Sequence, residues 1–225
     1  MVTAIIVAAG KSERMGAGTD KAFLNLGSKP ILAWSLLAFE RCGDVDSIEL
    51  VVRKDQLTAA KALVKMFGIS KVDKVLAGGT RRQDSVKIGI AEADSATRIV
   101  VIHDGVRPCI VPETISETIK MARRTGAAVV GRRIWDTVKV VEKGNTVTST
   151  ADRAKLWAVQ TPQAFSTQII RRAYDAADAA GKEVTDDASA VELIGEPVKI
   201  YETNVPNPKI TTVDDLQVAA AILKL

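Results

Sequence analysis

No stretch of the 225 residues approaches eighteen apolar residues in a row, so the sequence offers no membrane-spanning helix. Its first apolar run is short and has no positive segment before it, which makes a poor secretory signal. Cysteine is scarce. Cys42 and Cys109 fit no metal-knuckle spacing and are too few for a disulfide framework. A reduced compartment, the cytoplasm, is the simple expectation. Aromatic residues make up 4% of the chain, so no base-stacking platform is evident. The net charge is +4, yet no long basic run or basic helix gathers it. Nucleic acid is therefore not an expected partner, whereas small phosphorylated ligands suit a mildly basic surface.

Apolar residues account for 47% of the chain and charged ones for 26%, the balance of a soluble protein with a substantial core. Buried strands are expected at Thr3–Ala8, Ser47–Val52, within KVDKVLAGG, at Arg98–Ile102, Ala127–Gly131 and within PVKIYET. Between them, helical spacing runs over Ile31–Phe39 with Pro30 at its first turn, Leu57–Phe67, Asp84–Ala93 and Pro112–Arg124. Further helices are expected from about Ser166 to Ala180, over Asp186–Ile194 with Thr185 or Asp186 as cap, and over Val213–Leu223 capped by Thr211 or Thr212. Such alternation predicts an α/β fold: a mostly parallel, twisted sheet in a three-layer arrangement. Residues 133–153 break the rhythm. DTVKVVEKGNTVTST is two β-rich pieces around Lys143-Gly144-Asn145, a hairpin signal with no helix directly after it, and reads as a protruding β-hairpin arm.

The stretch AAGKSERMGAGTDK follows the first strand directly. A long irregular loop inside a compact domain usually has a function, and ligands of open α/β sheets bind outside the C-terminal ends of strands. Gly10, Gly16 and Gly18 permit close backbone approach, while Lys11, Arg14 and Lys21 bring positive charge. Together they form a candidate phosphate cradle. The loop lacks both the glycine-lysine-serine/threonine ending of an ATPase loop and the three-glycine dinucleotide fingerprint. A solvated surface loop is the plain alternative.

Seven blocks occur in order: AAG…RMG…DKAFL…G.KPI, GGTRRQDSV, VIHDGVRP, DTVK, DRAKLWAVQTPQAF, TDDASAVE and NPKITTVDDL. Together they resemble the 2-C-methyl-D-erythritol 4-phosphate cytidylyltransferases of isoprenoid biosynthesis, from Ala4 to about Ala220. The resemblance implies a Rossmann-like nucleotidyltransferase fold, with residues 1–225 as a single domain. It implies transfer of the cytidylyl group of CTP to 2-C-methyl-D-erythritol 4-phosphate, with release of pyrophosphate. The acceptor phosphate is already an anion, so positioning and charge stabilisation carry the catalysis. By resemblance, Arg14 and Lys21 are the catalytic cations. Ala8, Ala9, Gly10, Gly79, Thr80 and Ser85 bind the nucleotide. Arg107, Thr137, Arg153 and Lys209 bind the acceptor. Asp104 holds Mg²⁺ or another divalent cation. The arm is implied to cross to a partner in a two-fold homodimer, bringing Thr137 and Arg153 to the neighbouring site. His103 is expected to support structure, Asp187 to be structural or to support the residues that touch substrate, and Asp84 or Ser85 to cap a helix as well.

Departures from the usual pattern are Ser12, Asp20 before Lys21, Gly105-Val106 after Asp104, and Pro208 before Lys209. They bear on loop order rather than on reaction class. Two alternatives stay open. A ribitol-5-phosphate cytidylyltransferase would share fold and chemistry, and a silent nucleotide-binding scaffold would share the fold alone. The latter should have lost the basic loop residues or the aspartate, all of which are present.

Overall fold

The computed structural model describes residues 1–10 and 20–225. In chain order the first half comprises β1 (Val2–Ala8), β2 (Asn25–Leu26), β3 (Lys29–Pro30), α1 (Ile31–Arg41), β4 (Ser47–Val52), α2 (Leu57–Met66), β5 (Val72–Ala77), α3 (Arg82–Glu92) and β6 (Ile99–Asp104). The second half comprises α4 (Pro112–Thr125), β7 (Ala127–Arg133), β8 (Lys139–Val141), β9 (Val147–Thr150), β10 (Trp157–Ser166), α5 (Thr167–Ala179), α6 (Asp187–Leu193), β11 (Lys199–Glu202) and α7 (Asp214–Leu223).

Seven strands form one sheet in the order β11-β7-β10-β6-β1-β4-β5. Every neighbouring pair is parallel except those made by β10, which runs antiparallel between β6 and β7. The expected mostly parallel sheet is therefore present, but β10 was not expected. WAVQTPQAFS carries Pro162 and two glutamines, which obscure it as a strand. The ladder to β7 shifts register between Gln160 and Gln163, so the N–H that proline lacks falls at an irregularity.

Alternation along β1 separates two cores. Ala4, Ile6 and Ala8 face Leu32, Leu36 and Phe39 of α1 in one apolar cluster, which Ile115 and Ile119 of α4 also join. Ile5 and Val7 face the opposite cluster, with Val86 and Ile90 of α3, Ile170 and Ala173 of α5, and Val191 of α6. Helices on both sheet faces give the three layers. Each large apolar side chain fully withdrawn from water contributes roughly 1.5–3 kcal/mol. That burial is what keeps seven aligned strand ends rigid enough to carry a site.

Several caps differ from expectation. Pro30 is the N-cap of α1 rather than a residue of its first turn. Asp84 occupies the third position of α3 and accepts from the Arg81 N–H, while Arg81 is the N-cap. Asp186 caps α6 as expected, accepting from Ser189 N at 2.9 Å. Thr211 and Thr212 do not cap α7, whose N-cap is Val213. Instead Thr211 N, Thr211 Oγ1 and Thr212 N all donate to Asp215 Oδ2, at 2.7, 2.7 and 2.8 Å. A carboxylate in the first turn outcompetes the hydroxyls because it accepts several donors at once and suits the positive end of the helix.

The hairpin lies apart from the main sheet. β8 and β9 pair only with each other, around a turn in which Gly144 and Asn145 have positive φ. Its strands are exposed throughout, and Trp135, with 75% of its surface open, stands at its base among exposed Val140, Val141 and Val147.

Candidate active site

The parallel strands β1, β4, β5 and β6 end on one edge of the sheet. Val7 of β1 is in register with Asp104 of β6, and Ala8 with Val52 of β4. At this edge opens a cavity of about 410 Å³. It is lined by Ala8, Ala9 and Gly10, by Asp20 to Ala22, by Thr80 to Arg82 with Ser85, and by Asp104, Val106 and Lys209. The structure thus brings together eight predicted residues: Ala8, Ala9, Gly10, Lys21, Thr80, Ser85, Asp104 and Lys209. Arg14 lies outside the described residues, as do Lys11, Ser12, Gly16 and Gly18.

The wall formed by Ala8 to Gly10 and by Thr80 to Arg82 with Ser85 depends on close backbone packing. A Cβ at Gly78 would stand 2.5 Å from Ala9 Cβ and 2.7 Å from Ser85 Oγ, closer than any side chain tolerates. Glycine there lets the turn after β5 press onto the end of β1. Ser85 Oγ accepts from Gly79 N and donates to Arg81 O, both at 3.2 Å, which fixes that turn. Gly79 supports the wall from behind rather than lining the cavity. Gly105 also has a steric reason, since a Cβ would approach Leu32 Cδ1 to 2.8 Å.

Lys21 sits in a single 3-10 turn, Lys21–Phe23, capped by Asp20, whose Oδ1 accepts from Ala22 N at 3.1 Å. Asp20 therefore organises the turn that presents Lys21, and burial raises its carboxyl pKa above the ordinary value. That is a use the sequence did not reveal for this residue.

Asp104 is the electrostatic centre. Arg82 Nε contacts its Oδ1 at 3.0 Å, while Lys209 Nζ and Arg107 Nε approach Oδ2 at 2.9 and 3.5 Å. Burial opposes the charge of Asp104, but Arg82, Lys209 and Arg107 outweigh it and hold the carboxyl well below its usual range. Arg107 does not line the cavity. Its Nη1 donates to Asn207 O at 2.9 Å, and Asn207 Nδ2 donates to Thr161 O at 2.9 Å. With Ile210 N bonded to Val106 O at 2.9 Å, these contacts anchor the loop that carries Lys209.

His103 is fully buried, and burial pushes its pKa down to about 3. Thr161 Oγ1 accepts from Asp104 N and lies 3.1 Å from His103 Nδ1, while His103 Nε2 lies 3.4 Å from Arg107 O. A neutral ring with its proton on Nε2 satisfies both contacts. His103 braces the backbone around Asp104, as expected.

Arg82 is the member that sequence reasoning missed, and Asp187 is the partner that holds it. Arg82 bridges Asp104 to Asp187, and Tyr174 Oη donates to Asp187 Oδ1 at 2.5 Å. Both lie in quoted blocks, GGTRRQDSV and TDDASAVE, but nothing in either block says they meet. Thr137 and Arg153 are exposed on the arm and line no part of this cavity, and Arg153 Nη1 donates to Trp135 O.

Among the described residues no group of three or more His, Cys, Asp and Glu side chains could enclose a metal ion. A carboxylate offers about four acceptor directions, and the three cations leave Asp104 with spare capacity. The direction left is on Oδ1 beside Arg82, so a hard cation there would rely on nucleotide phosphates and water for the rest of its shell and to offset the neighbouring positive charge.

A family model, "IspD: 2-C-methyl-D-erythritol 4-phosphate cytidylyltransferase", matches residues 2–225. The chain belongs to this family. The 2-C-methyl-D-erythritol 4-phosphate cytidylyltransferase of Dehalococcoides mccartyi is 45% identical over 224 residues, covering 99% of this chain and 96% of the relative. That of Alkaliphilus metalliredigens is 41% identical over 223 residues, covering 99% and 92%. Among solved structures, the 4-diphosphocytidyl-2C-methyl-D-erythritol synthase of Anaerococcus prevotii superposes with a TM-score of 0.88 at 31% identity, covering 100% of this chain and 96% of that one. The Thermus thermophilus cytidylyltransferase gives 0.81 at 29%, covering 100% and 99%. The chain is accordingly a CTP-dependent nucleotidyltransferase of the IspD family, with a Rossmann-like nucleotidyltransferase fold. The reaction of this family joins the cytidylyl group of CTP to 2-C-methyl-D-erythritol 4-phosphate. These matches favour neither ribitol 5-phosphate as acceptor nor a silent scaffold.

Proposed function

We propose that the strand-end cavity holds CTP with its base against Ala8, Ala9, Gly10, Thr80 and Ser85, and its phosphates toward Lys21 and Asp104. The observation that carries this reading is the convergence of Lys21, Arg82, Asp104 and Lys209 on one cavity beside Ala8, Ala9 and Gly10. An oxygen of the acceptor phosphate attacks the α-phosphorus in line, and the bond to pyrophosphate breaks. Charge grows on the α-phosphoryl oxygens, and fixed cations directed there lower the barrier. Lys21 fills that role, and by family resemblance Arg14 shares it. Lys209 receives the acceptor phosphate, and Arg107, expected from the resemblance to bind it too, anchors the loop that carries Lys209.

Asp104 is the residue that would hold Mg²⁺ or another divalent cation, which supplies charge neutralisation for the phosphates when bound. The whole chain, residues 1–225, acts as a single nucleotidyltransferase domain in the cytoplasm, where the buried free thiols of Cys42 and Cys109 remain reduced. In the proposed homodimer the arm, residues 133–153, reaches the partner's cavity with Thr137 and Arg153. Support comes from the exposed Trp135, Val140, Val141 and Val147 on the arm, which a partner would cover, and from the absence of Thr137 and Arg153 from the lining of their own cavity.

A pyrophosphate-release assay with CTP and Mg²⁺ tests the reading, with 2-C-methyl-D-erythritol 4-phosphate and ribitol 5-phosphate run in parallel. Strong turnover is expected only with the first. Turnover confined to ribitol 5-phosphate would refute the acceptor assignment.

A further inference from the structure

Arg82 is the first residue of α3, and Asp187 is the first residue of α6. The two sit 105 positions apart, yet Arg82 Nη1 and Nη2 grip Asp187 Oδ1 and Oδ2 at 3.1 and 2.8 Å. The same guanidinium donates through Nε to Asp104 Oδ1 at 3.0 Å. Asp187 is wholly buried, and its Oδ1 also receives the hydroxyl of buried Tyr174 from α5. A continuous polar chain therefore runs from α5 through α6 and α3 to the strand-end carboxylate and on to Lys209.

Each link constrains the next. A buried carboxylate such as Asp187 is costly unless paired, and a bidentate guanidinium is the geometry that pairs it best. With both Nη atoms held by Asp187, the Nε–H direction is no longer adjustable. Burial opposes the charge of Arg82, but the Asp187 and Asp104 carboxylates raise its pKa above the ordinary value, so the clamp stays charged. Arg82 thus sets which way the carboxylate of Asp104 faces, leaving Oδ2 toward Lys209.

We propose that Arg82, held by Asp187, is a positioning residue for the cytidylyl transfer: it fixes the orientation of Asp104 relative to the phosphates. Binding of the base does not require it. The carboxylate orientation on which charge stabilisation depends does. This inference rests on the reading that Asp104 faces the reacting phosphates.

Steady-state kinetics of Arg82→Lys, Asp187→Asn, the double variant and Asp104→Asn test it, each checked for a cooperative thermal melt. Lysine keeps the charge but cannot bridge two carboxylates as a planar fork does. Both single variants should lose about 10- to 100-fold in kcat, with KM for CTP changed by less than about threefold. The double variant should lose no more than the worse single one, as members of one unit do. Should Arg82→Lys fail to fold, Asp187→Asn decides alone. Unchanged kcat in folded clamp variants, with Asp104→Asn inactive, overturns the inference and spares the site. A raised KM for CTP at unchanged kcat also overturns it, since Arg82 would then serve binding. Full activity of Asp104→Asn would refute the reading beneath it as well.

Discussion

Glu49 lies in the middle of β4, with 1% of its surface exposed, between Ile5 of β1 and Lys74 of β5 in register. Its Oε2 has no hydrogen-bond partner. Lys74 is its cross-strand neighbour on β5, but the lysine Nζ is held by the carbonyl and side chain of Glu92, at 2.7 and 3.1 Å. Burial raises the Glu49 pKa from 4.5 to about 7, with Lys74 opposing and Asp73 and Glu92 adding to the rise. A buried acid of this kind costs nothing while protonated in both folded and unfolded states. Its cost grows as pH climbs from about 4.5, where the unfolded chain ionises, and is complete above about 7. At about 1.4 kcal/mol per pH unit the full penalty is about 3 kcal/mol. Water admitted by local relaxation lowers it, so about 1–2 kcal/mol is the working expectation.

Glu49→Gln removes the titration and keeps the shape. Urea unfolding of both proteins at several pH values from about 4 to about 8 reads the difference. The two should match at the acid end, and the variant should gain about 1–2 kcal/mol at the basic end. A gap that does not change with pH would refute the reasoning, and so would a gap that narrows as pH rises. Turnover should be unaffected, because Glu49 lines no part of the cavity.

Three shorter predictions follow from the site and its supports. Asp215→Ala leaves three donors of the Thr211–Thr212 turn without their acceptor and should cost about 1 kcal/mol in chemical denaturation. Its carboxyl pKa is lowered to about 2, chiefly by the Thr211 hydroxyl, so this contribution should be present above about pH 4 and vanish as pH falls through about 2. Gly78→Ala forces Ala9 and Ser85 apart and should raise KM for CTP about tenfold, measured under saturating acceptor. Inactive Lys21→Ala mixed with inactive Arg153→Ala should regain part of the activity once subunits exchange, through the hybrid sites that keep both residues. Demonstrated exchange without recovery would count against a shared site.

Much of the fold was legible because buried parallel strands are nearly continuous apolar runs. TAIIVA and SIELVV lie where their composition put them, and the turn at Lys143-Gly144-Asn145 needs the positive φ that glycine and asparagine accept. β10 was not legible, since Pro162 argues against a central strand until its neighbours supply a register shift. The threonines before α7 look like caps until Asp215 takes their donors. Local pattern carries backbone preference; it does not carry competition between acceptors.

The sequence by itself determined the layer architecture, the arm and the family, and it supplied the lysines, arginines and aspartate that phosphate chemistry needs. These follow from residue type and order, which act through local propensity and burial. Only the tertiary structure decided that Arg82, Asp187 and Tyr174 form one chain with Asp104, and that Asp20 caps the turn of Lys21. It also decided that Thr137 and Arg153 do not line the cavity of their own chain. Such facts depend on where strand ends and helix starts meet in space. Charges far apart along the chain couple only after the cores on both sheet faces have fixed those positions.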